Sequence, residues 1–417
     1  MERVREGSAV DGFQAVMLIG GVVAMLLGLS GLARSCGIAR LLGSLASEDV
    51  EADIPWPPVS VLAPCRGVDA HFDAYARALL TQTYPCYEAL FLVESPADPA
   101  WGILERILAE NPGTRARLVV TGAAKRCSQK VHNLLVGLEH VDPQTAVLAF
   151  VDSDVQVHPR WLKALVRPLE DRHLGATSGY RWYVPCGDSL AGSLRSAWNA
   201  ATLGLMAHRR FGFIWGGSSA IRRDLFEKLC IRDLWGHGLS DDLLLTRALR
   251  EAGLPIQFVP ACLVPTFEPC TWRQLVDWTN RQVTIGRVYV PQSWAISLLV
   301  HSMSFILGAL ALAATITGHW LASSLLLSYW VMGGVGNAAV CRAARRRLAA
   351  HGFAVRQRVW PQALWGPCVA ALALVNLATS LTTRTITWRG ISYTMLAPQH
   401  VVVHRGVCRS ATSSPPS

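Results

Sequence analysis

Residues 148–162, LAFVDSDVQVHPRWL, put two carboxylates, Asp152 and Asp154, one residue apart where an apolar run stops. Carboxylates at i and i+2 of a turn can offer hard oxygen donors to one cation. Mg2+ or Mn2+ held this way fills the rest of its shell with water and phosphate oxygens. That chemistry calls for a diphosphate-bearing ligand; a solvated turn would use the same residues with no ligand at all. A second acidic cluster, Ser240-Asp241-Asp242, opens the helical stretch DDLLLTRALREAG. Free N-terminal amides favour carboxylates there, so its plain reading is a helix cap, and Asp241 is read as that. Between the two clusters, IWGGSSAIRRDLF (214–226) sets two glycines and two serines before a strand. Glycines suit a close approach of backbone to a sugar, or an ordinary turn.

The elements that must position these groups follow from periodicity. VSVLAP (59–64), YEALFLVES (87–95), ARLVVTG (116–122) and TAVLAFVDSD (145–154) read as strands. FDAYARALLTQT (72–83), AWGILERILAEN (100–111) and KVHNLLVGLEH (130–140) read as helices between them. Alternation of this kind predicts a mostly parallel sheet covered on both faces. Ligands of such sheets bind beyond the carboxyl ends of the strands, which is where Asp152 and Asp154 fall.

Of 417 residues, 51% are hydrophobic, and mean hydropathy is +0.29. Such a chain is too apolar for a simple soluble domain and too polar to be all membrane. Residues 13–33, 294–316 and 320–341 are each long and apolar enough to span a bilayer, the last two as a hairpin around Thr317-Gly318-His319. Residues 363–381 form a fourth apolar segment, transmembrane or re-entrant. An N-terminal segment (1–12) precedes the first helix, a basic loop (342–362) follows the hairpin, and 382–417 form a C-terminal tail whose end, SATSSPPS, is expected to be disordered. Arg34, Arg40 and the arginines of the basic loop set residues 55–293 and that loop in the cytosol by the positive-inside rule. If the last segment spans, the tail lies outside. Formal net charge is +10, which in this setting points to a membrane surface; no nucleic-acid motif is present. Trp272, Trp278, Arg273, Arg281 and Arg287 make 270–293 an interfacial segment, anchoring the domain or meeting an acceptor. The eleven cysteines are scattered without Cys-x-x-Cys and read as free thiols.

Six pieces in order resemble the ceramide glucosyltransferase family: PCRGVD (64–69), LTQTYPCYEALFLVESPADPA (80–100), GAAKRCSQKVHNLL (122–135), FVDSD (150–154), WGGSSAIRRDLF (215–226) and LSDDLLLTRALREAGL (239–254). ITWRGISY (386–393) is similar to the family's C-terminal element. The family groups membrane-anchored inverting glycosyltransferases of GT-A fold (family 21), with a bacterial hopanoid-glycosylating branch close by. The resemblance implies an α/β, Rossmann-like GT-A domain carrying a divalent metal, a UDP-sugar donor and a membrane-lipid acceptor, with UDP-glucose and ceramide as first expectations. It would be an integral membrane protein with a cytosolic catalytic domain, in the inner membrane if bacterial. Residue by residue, the resemblance makes Asp152 and Asp154 metal and nucleotide ligands and Asp242 the catalytic base. Lys130 and Asn133 match a donor-binding stretch, although His132 stands where the family often has Asn. The aspartate that contacts uracil falls at Ser95, so Glu94 is taken in its place, with Asp98 close by. Gln274 and Trp278 match the Gln-x-x-Arg-Trp element, but Asp277 replaces its Arg, and Arg281, one turn on, is expected to supply that charge. Transfer to a hopanoid or other lipid, a processive polysaccharide synthase and a catalytically inactive membrane scaffold stay open. Oligomeric state is not legible.

Overall fold

The computed structural model describes residues 2–44, 55–206, 208 and 212–405. Met1 of the expected N-terminal segment and residues 406–417 of the expected tail lie outside them. A long helix α1 (Glu2–Gly43) is followed by strict alternation: β1 (Val59–Cys65), α2 (Phe72–Leu80), β2 (Tyr87–Val93), α3 (Pro99–Glu110), β3 (Ala116–Val120), α4 (Gln129–Gly137), β4 (Val147–Val151). Then come α5 (Trp161–Val166), β5 (Ala176–Tyr183), α6 (Leu190–Met206), β6 (Ser218–Arg222), α7 (Arg223–Lys228), α8 (Ile231–Trp235), α9 (Asp241–Glu251), β7 (Ile256–Thr266) and α10 (Trp272–Tyr289). The chain ends with α11 (Pro291–Ile316), α12 (Trp320–Ala350), α13 (Trp360–Leu364), α14 (Gly366–Thr382), β8 (Thr385–Trp388), β9 (Ile391–Ala397) and β10 (His400–Arg405).

Seven strands form one sheet in the order β3-β2-β1-β4-β6-β5-β7. Every pairing is parallel except those of β6, which runs antiparallel to both β4 and β5. The α/β, mostly parallel GT-A architecture expected from the sequence is therefore present. Strand β1 is buried along its whole length, as a central strand covered on both faces must be. Val59, Val61 and Ala63 pack with Phe72, Leu104 and Trp161 on one side, and Leu62 packs with Leu134, Phe226 and Trp235 on the other.

Among the described residues, three helices are long and apolar enough to cross a membrane: Gln14–Gly43 of α1, α11 and α12. Helices α1 and α12 run side by side in the same direction. A Cβ at Gly21 would lie 2.7 Å from the Leu325 Cβ, one at Gly28 3.1 Å from the Tyr329 Cα, and one at Gly336 2.7 Å from the Ser35 hydroxyl. Small residues seven apart on α1 thus form a close-packed seam, the usual means of helix association in lipid. Where the pair meets the α/β domain, Arg347 donates to the carbonyls of Leu42 (2.8 Å) and Ser44.

The C-terminal part departs from expectation. Helix α14 has only 17 residues, and both its ends are tied to the domain. Before it, Trp365 donates to the Ser193 hydroxyl of α6 (2.8 Å). At its end the Ser380 carbonyl accepts from Arg287 and the Ser380 hydroxyl from Trp294 (3.0 Å). The segment that follows is no loose tail. Strands β8–β10 form an antiparallel sheet, and Ile386, Ile391, Tyr393, Met395 and Val401 complete the α/β domain's second apolar cluster. Residues 385–405 therefore pack on the α/β domain rather than trailing from it.

Candidate functional site

Strand β4 ends at Val151, and Asp152 and Asp154 follow on the turn beyond its carboxyl end. Four elements converge there. Lys130, in the first turn of α4, reaches Asp152 Oδ1 at 2.8 Å and Asp241 Oδ2 at 3.1 Å. Arg181, from β5, grips Asp154 with two nitrogens (2.6 and 2.8 Å) and touches Asp152 at 3.0 Å. The Lys130 and Arg181 side chains are each only 12% exposed, so these are enclosed pairs rather than solvated surface contacts. Burial would lift the Asp152 pKa, but the charges of Lys130 and Arg181 outweigh it and hold the carboxyl below its ordinary value. Burial works against the charge on Lys130 and Arg181 too, and the carboxylates overcome it, so both cations sit above their ordinary values.

The adjacent acids at the start of α9 diverge, because successive helical residues point about 100° apart. Asp241 does not cap: it is buried and turned toward Lys130. Ser240 is the N-cap, accepting from the Leu243 amide. Asp242 is half-buried. Its Oδ1 accepts from the Leu243 amide (2.8 Å) and the Ser240 hydroxyl, and its Oδ2 from the Gly216 amide (3.2 Å). The two glycines that seemed suited to sugar contact serve the carboxylates instead. A Cβ at Gly216 would collide with Asp241 and stand 2.9 Å from Lys130 Nζ, and one at Gly217 would lie 2.7 Å from Asp152 Oδ2.

Burial lifts Asp241 from 3.8 to about 6; Asp242 and Asp152 push the same way, and Lys130 opposes them. Between about pH 4 and 6 the folded chain thus keeps a proton that the unfolded chain has lost, so stability falls as pH rises through that window. Thermal unfolding of the detergent-solubilised chain across that range should show this slope, and Asp241→Asn should flatten it.

The remaining expected residues divide. Glu94 accepts from Arg66 and Arg405, and Asp98 caps α3 and accepts from the Gly67 amide (2.9 Å), so both hold the loop after β1. Asn133 is not presented to a ligand. Its amide donates to the Leu92 carbonyl and accepts from Thr121 and Gln129, all inside the scaffold. Gln274 completes a capping box with Thr271. Asp277 is exposed and faces Arg273. Trp278 packs edge-on against Tyr183 and Trp198, and Arg281 lies over the Trp388 ring at 5.9 Å. Arg181 went unread in the sequence. Its signal was a lone charge inside an otherwise uncharged, buried strand, which demands a buried counter-charge.

The donor set suits a hard divalent cation, because each carboxylate oxygen of Asp152 and Asp154 keeps a second lone pair. A cation held by Asp152 or Asp154 would compete with the Arg181 guanidinium, which now contacts both. Among the described residues no group of three His, Cys, Asp or Glu gathers for a metal. The ten described cysteines are free.

A sequence model described as glycosyl transferase family 21 matches residues 16–400. The chain is similar to a ceramide glucosyltransferase of Komagataella phaffii (strain GS115 / ATCC 20864), 31% identical over 70 residues that make up 16% of this chain and 14% of that protein. It is also similar to ceramide glucosyltransferase 1 of Caenorhabditis elegans, 28% identical over 127 residues, 30% of this chain and 26% of that one. The matched stretches span well under two thirds of either relative. Among solved structures, mannosyltransferase PcManGT from Pyrobaculum calidifontis, in complex with GDP-Man and Mn2+, aligns with a TM-score of 0.48 and 18% identity, over 88% of this chain and 99% of that one.

Proposed function

From the premise that this chain belongs to glycosyl transferase family 21, we propose that it moves a hexose from a UDP-sugar to the hydroxyl of a membrane lipid with inversion at the anomeric carbon. UDP-glucose and ceramide are the first donor and acceptor. The observation that carries the reading is the convergence of Asp152, Asp154, Asp242, Lys130 and Arg181 beyond the sheet's carboxyl ends, on a domain joined to apolar helices. Arg34, Arg40 and Arg347 lie toward the domain end of α1 and α12, which supports a cytosolic domain.

Asp152 and Asp154 would hold the divalent cation, which when bound would offset negative charge growing on the leaving diphosphate. Asp242 takes the acceptor hydroxyl proton. The freed oxygen attacks the anomeric carbon from the face opposite the diphosphate, the carbon–oxygen bond to the β-phosphate breaks, and UDP departs with that electron pair. The Gly216 and Leu243 amides fix the Asp242 carboxylate for this role. Lys130, kept charged by Asp152 and Asp241, adds positive potential beside the metal ligands.

Membranes containing the chain are incubated with labelled UDP-glucose, UDP-galactose or UDP-N-acetylglucosamine, a lipid extract, and Mn2+ or a chelator. Metal-dependent label in a lipid is the expected result, and the working donor names the sugar. Label in a triterpenoid fraction replaces ceramide with a hopanoid. Label in insoluble polymer, or in nothing, overturns the reading in favour of a synthase or an inactive scaffold.

A further inference from the structure

The turn between β8 and β9 consists of Arg389 and Gly390, both left-handed, with φ of 49° and 78°. A two-residue hairpin whose turn has positive φ at both positions matches the twist of its strands, and Asn or Gly is favoured at the first of them. An arginine stands there against local preference, and its contacts point to the site. Its guanidinium grips the Asp69 carboxylate at 2.6 and 3.1 Å, and its carbonyl accepts from Arg66 Nε at 3.0 Å. Asp69 lines one cavity with Ser153, Asp154 and Glu268. The residue before the turn, Trp388, carries Arg281 on its ring.

The charges around this turn do not balance. Arg181 is matched by Asp152 and Asp154, and Arg389 by Asp69. Arg281 has no carboxylate partner among the described residues, although Arg181, Arg389 and Asp154 all act on it electrostatically and burial pulls its pKa below the ordinary value. A partly buried cation without a counter-ion is costly, and an anion placed there would recover that cost.

We infer that the Trp388–Arg389–Gly390 turn belongs to the donor site, and that Arg389 and Arg281 form a cationic wall for the diphosphate of a nucleotide sugar. The inference rests on the nucleotide-sugar reading above and on the charge that the family resemblance assigns to Arg281; what it adds is the Trp388–Arg389–Gly390 turn, more than two hundred residues beyond Asp154 in the chain. To reach phosphate oxygens the planar Arg389 fork would exchange one or both of its Asp69 contacts for them, and Trp388 carries Arg281 on its ring beside it.

The test is calorimetric titration of the purified full-length chain with UDP and with UMP, in Mg2+ and without a sugar acceptor. Wild type should bind UDP more tightly than UMP. Arg389→Asn, which keeps a side chain tolerant of the left-handed turn, should weaken UDP binding by about tenfold to a hundredfold and leave UMP unchanged, the scale of a lost charge-assisted contact. Trp388→Ala should act in the same direction through Arg281. UDP binding unchanged in Arg389→Asn would overturn the assignment, and so would an equal loss of UMP, which would mark the turn as scaffold only. Failure of wild type to bind either nucleotide would sink the nucleotide-sugar reading itself, and this inference with it.

Discussion

Asp242→Asn is expected to lower the turnover number for sugar transfer by about a hundredfold to ten-thousandfold, the range over which a positioned general base acts, while donor affinity stays unchanged. The prediction separates chemistry from scaffold because the substitution is nearly isosteric. Asn keeps one oxygen for the Leu243 amide and the Ser240 hydroxyl. It gives up the acceptor facing the Gly216 amide, at a cost of about 1–3 kcal/mol if that amide finds no water. A folded protein that binds UDP normally and barely turns over is the expected result in a single-turnover assay with labelled donor. Activity within tenfold of wild type would move the base elsewhere. Glu268 is the first alternative: it lines the same cavity as Asp154, and burial raises its pKa with Asp154 and Asp69 adding to the effect.

Asp152→Ala should be the most damaging change to the folded state. Its carboxylate is shared by two enclosed cations, Lys130 at 2.8 Å and Arg181 at 3.0 Å. Removing it leaves Lys130 with Asp241 alone, a carboxyl that burial already lifts to about 6. Breaking a buried pair by deleting one partner costs about 3–5 kcal/mol, because the remaining charge is uncompensated. The expected outcome is a clear fall in thermal midpoint together with loss of transfer. Asp154→Ala should fall between this variant and wild type, since Lys130 keeps its partners. The Asp152→Ala/Arg181→Ala double variant should be less destabilised than the sum of the singles, because both remove the same pair. Strict additivity would mean the contact contributes nothing.

The first half of the catalytic domain was legible because it is built from local patterns. Apolar runs of β1, β2 and β4 with amphipathic α2, α3 and α4 between them impose a parallel sheet, and that alone located Asp152 and Asp154 at a strand end. The second half is governed by pairings no local pattern encodes: β6 slots antiparallel between β4 and β5. The C-terminal sheet carried a readable alternation, Thr385 to Trp388 and Ile391 to Met395, but its basic residues resembled a tail flanking a membrane segment. The neighbouring acids Asp241 and Asp242 are equivalent in composition, and only the helix angle and the space at Gly216 decide that one faces Lys130 and the other the Gly216 amide. The Asp277 replacement, conspicuous in sequence, is physically quiet, since that side chain points to solvent beside Arg273.

Helix α14 has a mechanical consequence. Only Thr383 and Arg384 separate its last turn from β8, and β8 ends at the turn that grips Asp69. The hairpin is thus the short arm of a lever whose long arm rests among apolar helices. With its ends held by α6 and α10, any displacement of α14 would pass through two residues to the strand that leads to Arg389. The chain thereby carries a short covalent link from its apolar helices to the loop after β1.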